Sequence, residues 1–231
     1  MDNELRKKYQ RLIEIIKELE SVVVAYSGGL DSTLVAFLTG RALGSKALAV
    51  TATSETYTPA ELVEATELAN RFGFSHQVIS THELDCVDFS SNPTNRCYYC
   101  KQELFKKLRE IADKNNIRNV VDGTTLSDAN DYRPGRQAAL ELGVRSPLRE
   151  AGIGKEEVRI ISRSLEIPNW DKPAGACLAS RFPYGEKITE DKLNRVAQAE
   201  IFLKNLGFRI IRVRHHQDIA RIEVGSDEIT R

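Results

Sequence analysis

The string Ser27-Gly28-Gly29-Leu30-Asp31-Ser32 lies between an apolar, β-branched run at 21–26 and a helical pattern at 32–43, and it constrains this chain more than any other feature. The run at 21–26 reads as a buried strand. Paired glycines let the backbone turn sharply and present unobstructed N–H groups, and the helix that follows adds partial positive charge for an anion. Ser27 and Ser32 offer hydroxyl donors to the same phosphates, while Asp31 is placed to cap the helix or to reach a magnesium ion. The plain alternative, a strand-to-helix turn with Ser/Asp capping, needs only one glycine. The Gly-Lys-Ser/Thr of a Walker loop is missing, so γ-phosphate transfer is not the expected reaction.

The rest of the chain predicts the frame around this loop. Leu5, Tyr9, Leu12, Ile16 and Leu19 mark an amphipathic helix over 2–20. Strands are expected at 48–52, 77–80 and 119–123, with helices following Pro59 and over 101–115. Strands alternating with helices imply an α/β fold with a doubly wound, mostly parallel sheet. Ligands of such sheets bind beyond the carboxyl ends of the strands. Thr51, Thr53 and Ser54 after the second strand, and Gly123 and Thr124 after the fourth, are therefore candidate ATP contacts beside the loop. Asp128 and Asp131 follow, as magnesium ligands or helix caps.

Pro168, Pro173, Gly175 and Pro183 break the pattern near 170. Residues 1–170 are thus expected to form the nucleotide-binding domain. Residues 171–231 are expected to form a smaller α+β appendage, with a helix over 189–206 and strands at 209–214 and 220–224. The last residues read as the beginning of a helix cut short.

Charge and apolar content narrow the partners. The formal net charge is +0, with 33 Lys+Arg against 33 Asp+Glu, so no global field draws in a polyanion and nucleic acid is not an expected partner. No apolar run approaches the roughly 20 residues that span a bilayer, and the first residues lack the order of a signal peptide. The expectation is a cytoplasmic protein without membrane contact, whose 4 cysteines are not a disulfide framework.

Cys97 and Cys100 form a C-x-x-C pair ahead of a helix, where thiolates are stabilised. The natural third thiol is Cys177 in Gly175-Ala176-Cys177-Leu178-Ala179-Ser180-Arg181; Cys86 reads as an ordinary, partly buried residue. Three cysteines without a fourth suggest an open-site [4Fe-4S] cluster whose unligated iron binds an extra sulfide. A redox pair, structural zinc and inert core thiols are the other readings.

The phosphate loop resembles that of the PP-loop ATP pyrophosphatases over roughly residues 20–165. Together with Asn95-Arg96-Cys97-Tyr98-Tyr99-Cys100-Lys101 and the string at 172–181, it makes the chain similar, nearly end to end, to the LarE family. These sulfur transferases build the nickel-pincer nucleotide cofactor of lactate racemase. The resemblance implies that ATP, with Mg2+, adenylates a carboxylate of pyridinium-3,5-biscarboxylic acid mononucleotide and that sulfur then replaces the activated oxygen. Two sulfur routes occur in the family. In one, the cysteine matching Cys177 gives up its own sulfur. In the other, cysteines matching Cys97, Cys100 and Cys177 hold a [4Fe-4S] cluster carrying a sulfide, which a sulfide donor must replenish. Single-cysteine members lack the C-x-x-C pair, so its presence here favours the cluster route. The resemblance also implies a hexameric homo-oligomer.

Arg212 and Arg214 share one face of a strand, with His215, His216 and Arg181 nearby, and are candidates for gripping the phosphate of an anionic mononucleotide. Glu200 and Glu223 are candidates to pair with these arginines or to bind a metal. A PP-loop tRNA thiolation enzyme, a non-catalytic nucleotide-binding regulator, and an amide-forming synthetase of the NAD or GMP type are the competing readings.

Overall fold

The computed structural model describes residues 1–130, 134–172 and 175–229. Four short strands, β1 (Val22–Ala25), β2 (Ala47–Thr53), β3 (His76–Ser80) and β4 (Asn119–Val121), form a parallel sheet in the order β3-β2-β1-β4. The order reverses between β1 and β4. There the chain leaves β1 toward one side and β4 toward the other, opening a crevice at the carboxyl ends.

Alternation along β1 sets the layers. Val22 and Val24 face a core built with α1 (Asn3–Glu18), α2 (Leu30–Leu43), α3 (Pro59–Phe72), α7 (Pro147–Glu150) and α8 (Lys155–Ser164). Val23 faces the opposite core, with Phe105, Leu108 and Ala112 of α5 (Arg96–Lys114) and Ala139 of α6 (Pro134–Glu141). Helix α2 is buried nearly all round from Ser32 to Thr39, because α1 and α8 cover the faces that the sheet leaves open. The elements are locally encoded: Asp2 caps α1 by accepting from Leu5 N at 2.8 Å, and Thr58 with Glu61 forms a capping box behind Pro59.

A separate core holds the remainder. Leu193 and Val196 of α9 (Glu190–Asn205) and Ile211 and Val213 of β5 (Ile211–His216) pack with Leu178, Phe182 and Ile188. Phe89 of the short helix α4 (Val87–Ser90) joins them, and Tyr99 and Cys100 of α5 pack against the group. Antiparallel β6 (Ile219–Val224) completes a hairpin with β5.

Most boundaries shift by one or two residues from the sequence reading, and two of the shifts have a clear physical cause. Helix α5 begins at Arg96 rather than near 101, so both paired cysteines lie inside it. Cys-Tyr-Tyr-Cys has weak intrinsic helix preference, but buried Arg96 and the packing of Tyr99 and Cys100 hold these turns in place. Strand β5 begins at Ile211 rather than 209, because the N–H groups of Arg209 and Ile210 donate to the Glu228 carboxylate instead of a strand partner. No helix among the described residues is long and apolar enough to cross a membrane.

Gly123 determines how closely β4 approaches α2. A Cβ there would stand 2.8 Å from Ser32 N and 3.0 Å from the Asp31 carbonyl carbon. Both neighbours are backbone, so neither yields cheaply. Gly123→Ala is expected to destabilise the fold by about 1–3 kcal/mol, read as a lower urea midpoint with an unchanged slope.

Candidate functional site

Gly28 turns the chain after β1 with φ +71°, and a Cβ on it would meet Ala65 Cβ at 2.9 Å. Only glycine combines that conformation with that approach. Gly29, not Asp31, occupies the cap position, extended and without a side-chain cap, and α2 starts at Leu30. Asp31 therefore lies in the first turn, where its carboxylate complements the helix dipole. Ser32 Oγ donates to Gly29 O at 3.0 Å, accepts from Ser27 N at 3.2 Å and lies 3.1 Å from Ser27 Oγ. The two hydroxyls predicted to serve one anion thus already sit side by side.

Two residues that the sequence reading missed hold the loop from outside. Tyr57 OH donates to Ser27 O at 2.9 Å, and burial pushes its phenol above the ordinary value. Asn169 Nδ2 donates to Gly28 O at 3.1 Å and approaches Thr33 Oγ1 at 3.5 Å. Asn169 also lines a cleft of about 710 Å³ with Glu64, Lys172 and Arg209. No local pattern announces either residue, since each acts on a segment far from it in sequence.

The other candidate nucleotide contacts also lie at the carboxyl edge. Thr53 Oγ1 donates to Ile79 O at 3.1 Å, and Ser54 Oγ lies 2.9 Å from Thr56 Oγ1. Thr51 Oγ1 meets His76 Nε2 at 2.8 Å. Thr124 donates through its amide (3.1 Å) and hydroxyl (2.7 Å) to Asp122, whose carboxylate also accepts from Ser146 Oγ at 2.8 Å. This clamp shapes the Gly123 turn. Asp128 accepts from Thr125 N and Oγ1, both at 2.9 Å, and pairs with Lys155 at 3.4 Å. Asp131 lies outside the described residues.

The structure draws Cys97, Cys100 and Cys177 into one neighbourhood, near enough that Cys97 and Cys177 help to raise the Cys100 pKa and Cys97 that of Cys177. Arg96 carries much of this convergence. It is 5% exposed, donates through Nη1 to Ala179 O at 2.9 Å, and hydrogen-bonds Asn92 Oδ1. Asn92 in turn donates to Pro183 O at 2.7 Å. The segment bearing Cys177 is thereby stitched to the start of α5. Glu83, also missed from the sequence, receives the Cys100 thiol at 3.9 Å.

For Cys100 the expectation of a stabilised thiolate is not met. Burial pushes the Cys100 thiol up to about 12, and Lys101 only partly opposes this. Cys177 retains solvent contact, yet desolvation by the protein around its thiol raises its pKa, with Arg96 opposing. Cys97 is exposed and Cys86 half-buried. Among the described residues, no group of three or more His, Cys, Asp or Glu is arranged around a single metal ion.

The candidate phosphate-gripping arginines divide by partner. Arg181 is buried, donating to Glu200 at 2.8 and 3.2 Å and to the carbonyls of Ala176 and Cys177 at 3.0 and 3.4 Å. It braces the Cys177 turn from behind. Arg214 donates to Glu223 at 2.7 Å and to Ser180 O at 3.3 Å. Arg214, followed by Arg221, pulls the Glu223 carboxyl down to about 2. Arg212 is half-buried and makes no hydrogen bond or ion pair among the described residues, which leaves its fork available to an anion.

Two outcomes follow from these contacts. Glu200→Ala leaves the Arg181 charge and the Val213 N–H, now bonded to Glu200 at 3.0 Å, buried and unanswered. It should destabilise the protein by about 3–5 kcal/mol, seen in urea titration. In the metal-free protein at pH 8, Cys100 should react with iodoacetamide at least ~10-fold more slowly than a cysteine in an unfolded peptide, followed by mass spectrometry of tryptic fragments.

The comparisons with known proteins agree with this geometry. The family described as NAD synthase matches residues 5–122. An uncharacterized protein of Synechocystis sp. is 48% identical over 97% of this chain and 84% of its own length. The pyridinium-3,5-bisthiocarboxylic acid mononucleotide synthase of Lactiplantibacillus plantarum is 41% identical over 95% of this chain and 80% of its own length. An uncharacterized protein of Methanocaldococcus jannaschii is 29% identical, with 98% and 83% covered. With a family model over residues 5–122 and 41% identity over 95% of its length to a named synthase, the chain belongs to the LarE family, an enzyme family of the PP-loop, NAD synthase-like fold.

Proposed function

We propose that this enzyme is an ATP-dependent sulfurtransferase acting on pyridinium-3,5-biscarboxylic acid mononucleotide. The observation that carries the reading is that Arg96 and a shared packing group join the turns bearing Cys97 and Cys100 to the turn bearing Cys177, whose Leu178 N–H reaches Thr56 O in the segment after β2. A substrate carboxylate oxygen attacks the α-phosphorus of ATP, the bond to the β-phosphate oxygen breaks, and pyrophosphate leaves. Ser27, Gly28, Gly29 and Ser32 hold the departing pyrophosphate. Asp31 orients the Mg2+ that accompanies it, and Thr53, Ser54, Gly123 and Thr124 border the nucleotide. A sulfide-level nucleophile then attacks the acyl carbon and AMP departs with the C–O electron pair, leaving a thiocarboxylate. A bare carboxylate is a poor electrophile and AMP a good leaving group, which is why the ATP step comes first.

Residues 171–231 form the substrate-binding and oligomerisation appendage in this reading. Arg212 meets the mononucleotide phosphate, with Arg214 beside it, while Arg181 sets the Cys177 turn. Three thiols without a fourth donor suit an open-site [4Fe-4S] cluster. Cys97, Cys100 and Cys177 would hold it, and when bound it supplies a sulfide at the iron lacking a protein ligand. A homo-oligomer, a separate sulfide donor and a cytoplasmic setting complete the proposal.

The test combines substrate, ATP and anaerobically reconstituted protein, and measures pyrophosphate and thiocarboxylate by mass spectrometry. Wild type should release pyrophosphate and replace oxygen by sulfur. It should bind about four irons per chain, lost in Cys97→Ala, Cys100→Ala and Cys177→Ala. Conversion of Cys177 to dehydroalanine in step with product would replace the cluster by the sacrificial route. Absence of any pyrophosphate release with substrate present would reject the enzyme reading itself.

A further inference from the structure

We infer that Tyr57 and Asn169 are positioning residues that preset the phosphate loop, each tying back one loop carbonyl and so aiming the following amide at the bound anion. The inference rests on the nucleotide-binding role proposed for this loop.

In a planar trans peptide the carbonyl of one residue and the N–H of the next point in opposite directions. Tyr57 OH fixes the Ser27 carbonyl at 2.9 Å, and the Gly28 N–H is oriented with it. Asn169 Nδ2 fixes the Gly28 carbonyl at 3.1 Å, and the Gly29 N–H follows, turned to the same side as Ser27 Oγ, to which it donates at 3.4 Å. Two successive amides, the pair that the Gly-Gly sequence leaves unobstructed, are therefore directed by two side chains that belong neither to the loop nor to α2. Tyr57 lies just before α3, and Asn169 lies 141 residues beyond Gly28 on the segment leading to Cys177.

The orientation of the Asn169 amide follows from its partners. Gly28 O can only accept, and the Thr33 hydroxyl already donates to Gly29 O at 2.9 Å, so the NH2 group must face both. Asn169 is only 8% exposed, and its Oδ1 is buried with no hydrogen-bond partner among the described residues. An asparagine held at the expense of one unsatisfied acceptor is held for its donor. The physical gain is preorganisation. A glycine pair has freely turning peptide planes, and fixing them before the anion arrives removes an ordering cost from binding.

The test measures inorganic pyrophosphate and adenosine binding to the full chain by competition with a fluorescent ATP analogue. Tyr57→Phe removes one hydroxyl and nothing else, and Asn169→Ala removes the second donor. Each is expected to weaken pyrophosphate about 5- to 10-fold while adenosine stays within ~2-fold, because the nucleoside does not meet these amides. In 15N-glycine-labelled protein the Gly28 amide resonance should move in Tyr57→Phe and that of Gly29 in Asn169→Ala. Equal weakening of both ligands would reduce the pair to general packing and overturn the inference. So would unchanged pyrophosphate binding in Tyr57→Phe, the variant least able to disturb folding, with wild type binding normally. If wild type bound neither pyrophosphate nor the ATP analogue, the nucleotide reading of the loop would fall together with this inference.

Discussion

The approach of the Gly123 backbone to the first turn of α2 sets how closely the end of β4 packs against that helix, at the point where the sheet changes direction. A side chain at this position would push the turn after β4 away from the helix that carries the phosphate loop. The neighbouring groups keep the turn in place: Asp122 accepts from Thr124 and Ser146, while Asp128 accepts from Thr125. Opposite this wall, Gly28 presses on Ala65 of α3. The phosphate loop is therefore bounded on two sides by contacts that admit only hydrogen, which gives a mobile sequence motif a rigid setting.

A second theme is the use of buried charge to join distant segments. Arg96 and Arg181 are both nearly inaccessible, and both donate to carbonyls of the 176–179 stretch. A buried guanidinium is costly unless its donors are met, so each arginine permits only a narrow set of positions for the turn it touches. Glu200 answers one of them, and Asn92 with backbone oxygen answers the other. The position of Cys177 is thus set less by apolar packing than by two cations whose partners cannot move far. The exposed pairs elsewhere, such as Arg11 with Glu14 and Glu18, carry no comparable information because water screens them.

Much of the frame was legible from the chain alone, since it rests on local patterns. The β-branched run at 22–25, the helical spacing of Leu5, Leu12 and Ile16, and Pro59 behind Thr58 each act within one element. The three cysteines could be grouped by chemistry, and Glu200 and Glu223 did prove to be arginine partners. Asp31 was displaced from the cap because Gly29, not Asp31, stands where the extended backbone meets the helix, which spacing alone cannot separate by one or two residues. Weak helix formers at 97–100 concealed the true start of α5, where tertiary packing outweighed propensity. Tyr57, Glu83 and Asn169 were invisible for another reason: their importance lies in long-range hydrogen bonds that no short window contains. The thiol environment was misread on the same ground, since desolvation is a property of the folded neighbourhood and not of a helix position.

The Arg96–Ala179 link joins residues separated by 83 positions. Loops of that length close late, after the local helices and the adjacent parallel strands have formed. During synthesis the C-x-x-C turns leave the ribosome long before the turn carrying Cys177, and their shared core also needs Leu193, Val196 and Val213. The three thiols consequently stay apart until the last part of the chain has docked. A half-made protein offers the parallel sheet and its phosphate loop without the turn that carries Cys177.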